Sequence, residues 1–340
     1  LSRSRWIAAA LLLTMMNARA QAPNPALDET LDAPYRARII NDYAHQLTER
    51  HVDAVKGKQA ADMLRTRLAR GEYDDITSAR VFAARLTPEV AEIVRDRQTY
   101  LEYIPYDQTD SRQRPAPAQQ PSDNFGLRKY ESMEGNIAYL QISRFAPFDR
   151  AAYEAAGRFM SQAADHAALI IDLRGAGGDG QDMAAMLASY VLSDTRSYFF
   201  RDKQLHLHNQ VDRGGRVSAE YWTRAEVPGQ RFGGKKPLYL LVNERTSAAA
   251  EGFAYDLQQY KRAVVVGSPT LGDAQIRATA PISRHLLASV AVTRAVNKIS
   301  GGNWQGVGVQ PDRMVAPAEA LNEALKLATA AVEKNRASRQ

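Results

Sequence analysis

The chain has 340 residues, 45% hydrophobic and 24% charged, with a formal net charge of +6 and no cysteine. That balance excludes a disordered or collagenous chain, a disulfide framework and thiolate chemistry. The charge makes no case for nucleic acid, because removing Arg3, Arg5 and Arg19 with an expected leader takes +6 to +3.

Arg3 and Arg5 precede an apolar run from Trp6 to Met16, and Ala18-Arg19-Ala20 follows it. Basic flank, apolar centre and small-x-small exit are the layout of a secretory signal peptide over residues 1–20. The run is too short for a bilayer span, which needs ~20 apolar residues. The expectation is therefore an exported protein, periplasmic or secreted, with no stable membrane span once the leader is gone.

Residues 28–104 read as an N-terminal helical domain. Leu31, Ile39, Ile40, Tyr43 and Leu47 recur at helical spacing, as do Ala60, Met63, Leu64 and Leu68. Thr77 or Ser78 can cap a helix, and Thr87-Pro88 reads as the start of another. Thr99 to Ile104 alternates like a strand, and residues 105–125, rich in Pro and Gln, read as a linker.

From 126 to 335 the pattern is α/β. Asn136–Ile142, Ala168–Leu173, Lys236–Val242 and Ala263–Gly267 are apolar strand candidates with helices between them. Such spacing predicts crossover connections and a mainly parallel sheet covered on both faces. His285–Arg294 reads as a further strand and Ala318–Val332 as a closing helix.

Two strand-to-helix turns carry the chemistry. Asp172-Leu-Arg-Gly-Ala-Gly-Gly178 ends a buried strand in glycines beside a helix start, where free N–H groups could meet an oxyanion or a peptide carbonyl. Gly175 to Gly180 also fits the spacing of a dinucleotide loop, with Asp194 or Asp202 as the ribose acid, although neither follows a long apolar strand. In the second turn, Arg245-Thr-Ser-Ala-Ala-Ala-Glu251, a hydroxyl could sit exposed at a helix start, or Thr246 or Ser247 could simply cap the helix. His206 and His208 alternate along a likely strand. A pair without a third ligand does not make a zinc site, so they read as exposed strand residues, and neither metal nor cofactor is called for.

With Val266-Gly-Ser-Pro-Thr-Leu-Gly272 and Asn303-Trp-Gln-Gly-Val-Gly-Val-Gln-Pro-Asp312 added, the chain resembles the tail-specific (C-terminal-processing) serine peptidase family. The segment Leu68-Ala-Arg-Gly-Glu-Tyr-Asp74 is similar to its branch with the interphotoreceptor retinoid-binding protein modules. The resemblance implies a crotonase/Clp protease-like core behind the helical domain. It also implies that the nucleophile of S-A-A-E falls on Ala248, the histidine base on Gln98, the closing acid on Gln305 and the lysine base of other members near Asp273. A methyl cannot acylate, and a carboxamide cannot cycle a proton near neutral pH.

Gly177, Gly178 and Ala249 remain as backbone candidates for oxyanion or peptide binding, and Ser247 is the nucleophile if any activity survives. One residue of shift should turn Ser247 away from those donors, and Arg245 stays protonated and is no base. His285 is the histidine placed in the later core strands. The expected partner is a peptide or a protein C-terminus in the family cleft. The alternatives are an active peptidase using Ser247 and a carrier of an apolar small molecule.

Overall fold

The computed structural model describes residues 28–105, 107, 123–192 and 204–338. The leader expected over residues 1–20, most of the expected linker and the two ribose-acid candidates Asp194 and Asp202 lie outside the described residues.

Three capped helices open the fold: α1 (Ala33–Arg50), α2 (Ala54–Ala69) and α3 (Ala79–Val94). Asp32, Asp53 and Ser78 each accept first-turn backbone N–H groups, which would otherwise lack partners. The stripe read in the sequence is the buried one: Ile39, Ile40, Tyr43, Leu47, Ala60 and Leu64 pack with Phe82, Leu86 and Val90. The expected break at Thr87-Pro88 does not occur, and α3 runs through Pro88. Thr87 Oγ1 is used elsewhere: it donates to the Leu101 carbonyl (2.9 Å) and accepts the Leu101 N–H (3.1 Å), joining α3 to β1 (Tyr100–Tyr103).

The remainder holds β2 (Leu127–Met133), β3 (Ile137–Ile142), α4 (Arg150–Ser161), β4 (Ala168–Asp172), α5 (Gln181–Leu192), β5 (His206–Asp212) and β6 (Val217–Trp222). Then come β7 (Leu238–Val242), α6 (Ala248–Gln259), β8 (Val264–Gly267), β9 (Gln275–Pro281), β10 (Leu286–Asn297), β11 (Arg313–Met314) and α7 (Ala320–Ala337). A six-stranded sheet has the order β11-β8-β7-β4-β3-β2, parallel except for the antiparallel β2–β3 pair. Successive residues point to opposite faces and both faces are covered. Leu240 joins the core under α4, α5 and α6, whereas Leu241 packs with Ala320, Ala324 and Ala328 of α7.

A second sheet was not anticipated. It is antiparallel, ordered β1-β10-β5-β6 with β9 also paired to β10. Leu286, Ala288 and Val290 of β10 complete the core of the three helices. Burying each large aliphatic or aromatic side chain in these cores contributes roughly 1.5–3 kcal/mol. The strands that matter for function are β4 and β7, which are parallel neighbours ending side by side. In open α/β sheets, the carboxyl ends of such strands are where ligand sites form.

Candidate functional site

At the end of β4 the Asp172 carboxylate accepts from Tyr139 Oη (2.7 Å) and Arg174 Nη2 (2.5 Å), while Arg174 Nη1 reaches the Pro317 carbonyl (2.7 Å). Ala176 N–H donates to the Leu173 carbonyl (2.9 Å), closing the glycine turn, and the Gly177 carbonyl accepts Phe145 N–H (2.8 Å). A Cβ at Gly178 would stand 2.5 Å from the Phe145 carbonyl oxygen, and one at Gly180 would stand 1.9 Å from that of Ala146. Close backbone packing therefore accounts for these two glycines without a bound phosphate.

The turn after β7 is zipped to the first. Asn243 Oδ1 accepts from Gly175 N (2.9 Å) and Arg245 N (3.1 Å), and Thr246 Oγ1 donates to the Leu173 carbonyl (2.8 Å). Ser247 N donates to Ala176 O (2.9 Å) and Ala249 N to Gly178 O (3.1 Å). Ser247 stands at the N-cap of α6, but its hydroxyl caps nothing. That hydroxyl faces Gly177 instead: a Cβ there would stand 2.7 Å from Ser247 Oγ.

Two expectations need correction. Ser247 does not turn away from the glycines, because its extended backbone (φ −145°, ψ 164°) aims the side chain at Gly177. The Ala249 N–H, expected to await a bound oxygen, is committed to the Gly178 carbonyl. Ala248, half-buried, adopts φ +50°, a left-handed conformation that costs a residue with a Cβ about 1–2 kcal/mol.

Glu251 ties the turn to the next loop. It is fully buried (0% exposed) and takes four donors. Thr270 Oγ1 (2.5 Å) and Gly272 N (2.6 Å) meet Oε1, whereas Asp273 N (2.8 Å) and Ala248 N (3.1 Å) share Oε2. Burial pushes its pKa up, against the pull of the donors. Sequence reasoning gave Glu251 no role beyond its place in the motif. The available signal was an acid four residues after Ser247, where a side chain can reach back to the helix start.

Next to it, Ala274 N donates to Gln305 Oε1 (2.8 Å), and Gly306 N donates to the Gly272 carbonyl (2.8 Å). Asp273, flagged near the lysine-base position, pairs with Arg277 (2.5 Å), and Arg277 Nη2 also meets Asp96 (3.3 Å). Burial works against the Arg277 charge, but Asp273 and Asp96 outweigh it and raise its pKa. Asp96 in turn accepts from Gln98 N (2.9 Å) and Thr99 Oγ1 (2.9 Å). One hydrogen-bonded network thus gathers Ala248, Asp273, Gln305 and the Asp96–Gln98 turn from four distant segments. No proton-cycling imidazole or amine belongs to it among the described residues.

His51 is buried and close enough to feel the Asp96 charge, with its Nδ1 engaged by the Asp53 backbone, whereas the histidines in or beside the later strands lie elsewhere. His285 stacks on Tyr103 and contacts the Ile104 carbonyl (3.2 Å) beside β1. His208, read as exposed, is 2% exposed and meets Asp256 Oδ2 at 2.7 Å, because the inner face of β5 packs against α6. His206 stacks on Trp222 and bonds Asn209. Among the described residues no three His, Cys, Asp or Glu side chains are grouped as a metal site, and no helix is long and apolar enough to cross a membrane.

The family model "Peptidase family S41" matches residues 136–315, which hold the parallel strands and both strand-to-helix turns. The chain belongs to peptidase family S41. A carboxy-terminal-processing protease of Bartonella bacilliformis is 29% identical over 82 residues, 24% of this chain and 18% of that protein. The chain thus matches under a fifth of that relative's length. Among solved structures, a peptidase described as putative from Parabacteroides merdae superimposes with TM-score 0.58 at 13% identity, over 86% of this chain and 96% of that one. The photosystem II D1 C-terminal processing protease gives 0.54 at 15% identity, covering 83% and 93%. A lipoprotein of Streptococcus agalactiae gives 0.54 at 14%, covering 87% and 96%. These likenesses of fold span more than four-fifths of the chain and so reach beyond the family segment.

Proposed function

We propose that this S41 chain, of the interphotoreceptor retinoid-binding protein-like branch, has lost hydrolytic chemistry and binds peptides or chain termini at the paired turns. The carrying observation is Ala248. It occupies the left-handed, half-exposed first position of α6, where a strand-to-helix turn would project a nucleophile, and it offers a methyl. Gln305 and Gln98 stand at the proposed acid and base positions, and neither can cycle a proton.

Binding is supported by what surrounds the turns. Leu271 (45% exposed) and Val307 (65% exposed) belong to two loops bonded to each other beside Ser247, which suits an apolar peptide side chain. The Arg245 guanidinium lies over Gly175, with 4.0 Å from its Nε to a Cβ placed there. No ion pair engages it among the described residues, so it can meet a terminal carboxylate. The order of residues 1–20 supports export, which a mature protein starting at Gln21 would verify.

The second reading is an active peptidase using Ser247, and one observation favours it: the hydroxyl caps nothing and faces Gly177. Labelling with a fluorophosphonate serine probe separates the two. We expect no adduct on the natural protein, and hydrolysis gained by the triple variant Ala248→Ser, Gln98→His, Gln305→Glu. Labelling or turnover by the natural protein, abolished by Ser247→Ala, would overturn the proposal. Peptides with a free carboxylate should raise the melting temperature of the natural protein, and Arg245→Gln should reduce that shift.

A further inference from the structure

The second sheet carries a polar cavity of about 430 Å³, within the ~300–1,000 Å³ range of small-molecule sites. Five side chains line it: Asp182, Gln204, Glu220, Trp222 and Arg224. Alternation along the strands explains how they meet. Glu220 and Trp222 stand two apart on β6 and share its outer face, whereas Tyr221 between them packs on the core. Arg224 continues the alternation just past the strand end. His206 pairs with Trp222 across the β5–β6 ladder, and Gln204 lies two residues before it. Asp182, in the first turn of α5, closes the other side.

The centre of the cavity is an indole held in place. Trp222 lies on the His206 ring (3.9 Å between centroids, 14° between planes), and its Nε1 donates to Glu220 Oε2 (3.1 Å). His206 is itself bonded to Asn209. Trp222 is nonetheless 39% exposed, so indole surface stays open to a ligand on the side away from His206. Arg224 is fixed as well. Its backbone N–H donates to Ser189 Oγ (2.8 Å), and its carbonyl accepts from Arg231 Nη2 (3.0 Å). Its guanidinium lies over Phe148 (4.8 Å) and meets Asp182 (3.4 Å). A site whose groups are already ordered loses little freedom when a ligand binds.

The lining chemistry decides the ligand class. Two carboxylates against one guanidinium repel a compact anion, and Arg224 opposes a cation over the indole. What the lining offers is both kinds of hydrogen-bonding group on planar frames: acceptors on Asp182 and Glu220, donors on Arg224, and both on Gln204. A hydroxyl is donor and acceptor at once, so adjacent hydroxyls on a ring can use the whole set. The C–H face of such a ring carries partial positive charge and suits the negative face of the indole.

We propose that this cavity binds a neutral saccharide ring, stacked on Trp222 and held through its hydroxyls by Asp182, Gln204, Glu220 and Arg224. None of these residues belongs to the paired turns, so the saccharide site stands independently of the peptide reading above.

Titration calorimetry with N,N′-diacetylchitobiose, cellobiose and maltose tests it, with choline as the cationic alternative. Trp222→Leu keeps apolar bulk and removes the flat face, and Asp182→Ala removes a largely exposed acceptor. Val217→Thr, on β6 but outside the lining, is the control. We expect at least one disaccharide to bind, about tenfold more weakly in Trp222→Leu and about fivefold more weakly in Asp182→Ala, with the control unchanged. Bound saccharide should also shield Trp222 from acrylamide quenching, whereas Trp304 is already buried. Choline bound in place of all three sugars, no binding of any disaccharide, or binding that either folded variant leaves intact would overturn the proposal. Melting curves matched to the natural protein show that the variants are folded. If Trp222→Leu fails that check, Asp182→Ala carries the test alone.

Discussion

Glu251 and Asp256 lie on the same helix, are both buried, and are held in opposite ways. Among the described residues Glu251 pairs with no cation; three backbone N–H groups and a threonine hydroxyl surround it, drawn from the start of α6 and the loop after β8. Asp256 accepts from Asn297 Nδ2 (2.8 Å) and meets His208 Nδ1 (2.7 Å). The His208–Asp256 pair has the composition of a catalytic dyad, yet it sits eight residues along α6 from Ala248, ~12 Å at helical rise. Its neighbours are rings, Tyr221 and Trp304. The His208–Asp256 pair is thus packed into the core, while Glu251 holds backbone N–H groups of the helix start and the following loop.

Removing Glu251 should have the largest effect. Glu251→Leu deprives three backbone N–H groups of their acceptor and leaves Thr270 Oγ1 only the Val309 N–H (2.7 Å), which should cost roughly 3–5 kcal/mol in urea unfolding. A cost near zero would mean that the loops hold the turn without Glu251. The pH dependence sharpens the same point. Burial raises the folded pKa of Glu251 above its unfolded value, so the fold holds that proton more tightly. The associated stability is complete below the unfolded carboxylate range and is lost as pH rises through the folded pKa. Glu251→Gln cannot ionise, so its melting temperature should lack that part of the slope, which begins above the ordinary glutamate pKa and ends where the folded carboxyl ionises.

Asp256→Ala should cost less, about 2–3 kcal/mol, by stranding His208 Nδ1 and leaving Asn297 Nδ2 only the Leu207 carbonyl (3.3 Å). It also tests the division of roles. Because Asp256 serves the core, peptide-induced thermal shifts should survive in the variant once its lower starting stability is allowed for. If they vanish selectively, the two ends of α6 are coupled and the contrast with Glu251 fails.

What the sequence disclosed follows from where burial is two-sided. Ala168–Asp172 and Leu238–Val242 are buried at every position, so their apolar runs announced the parallel sheet. Val217–Trp222 is exposed or half-exposed throughout and has no apolar face to detect, so the second sheet was missed at β6. At the site, the glycine turn and the residues at 248 and 305 could be read from motif spacing. The Asp96–Arg277–Asp273 bridge could not, since Arg277 meets Asp96 across 181 positions of chain. Nor could the direction of Ser247, because one residue of register at a turn depends on backbone angles that no local composition encodes.

The smallest effect probes that register. Ala248→Gly should remove about 1–2 kcal/mol of left-handed strain and add about 0.5–1 kcal/mol of backbone entropy, a net gain of about 0–1.5 kcal/mol. A glycine that destabilises would show that the turn is unstrained and that Ala248 is an ordinary helix start. Ala248→Ser keeps the strain and the Glu251 contact of the backbone N–H, so its stability should stay within about 0.5 kcal/mol of the natural protein. Gain from glycine together with indifference to serine would mean that the fold maintains a costly backbone shape at position 248 that the alanine methyl itself does not require, with Glu251 holding that shape through the Ala248 N–H.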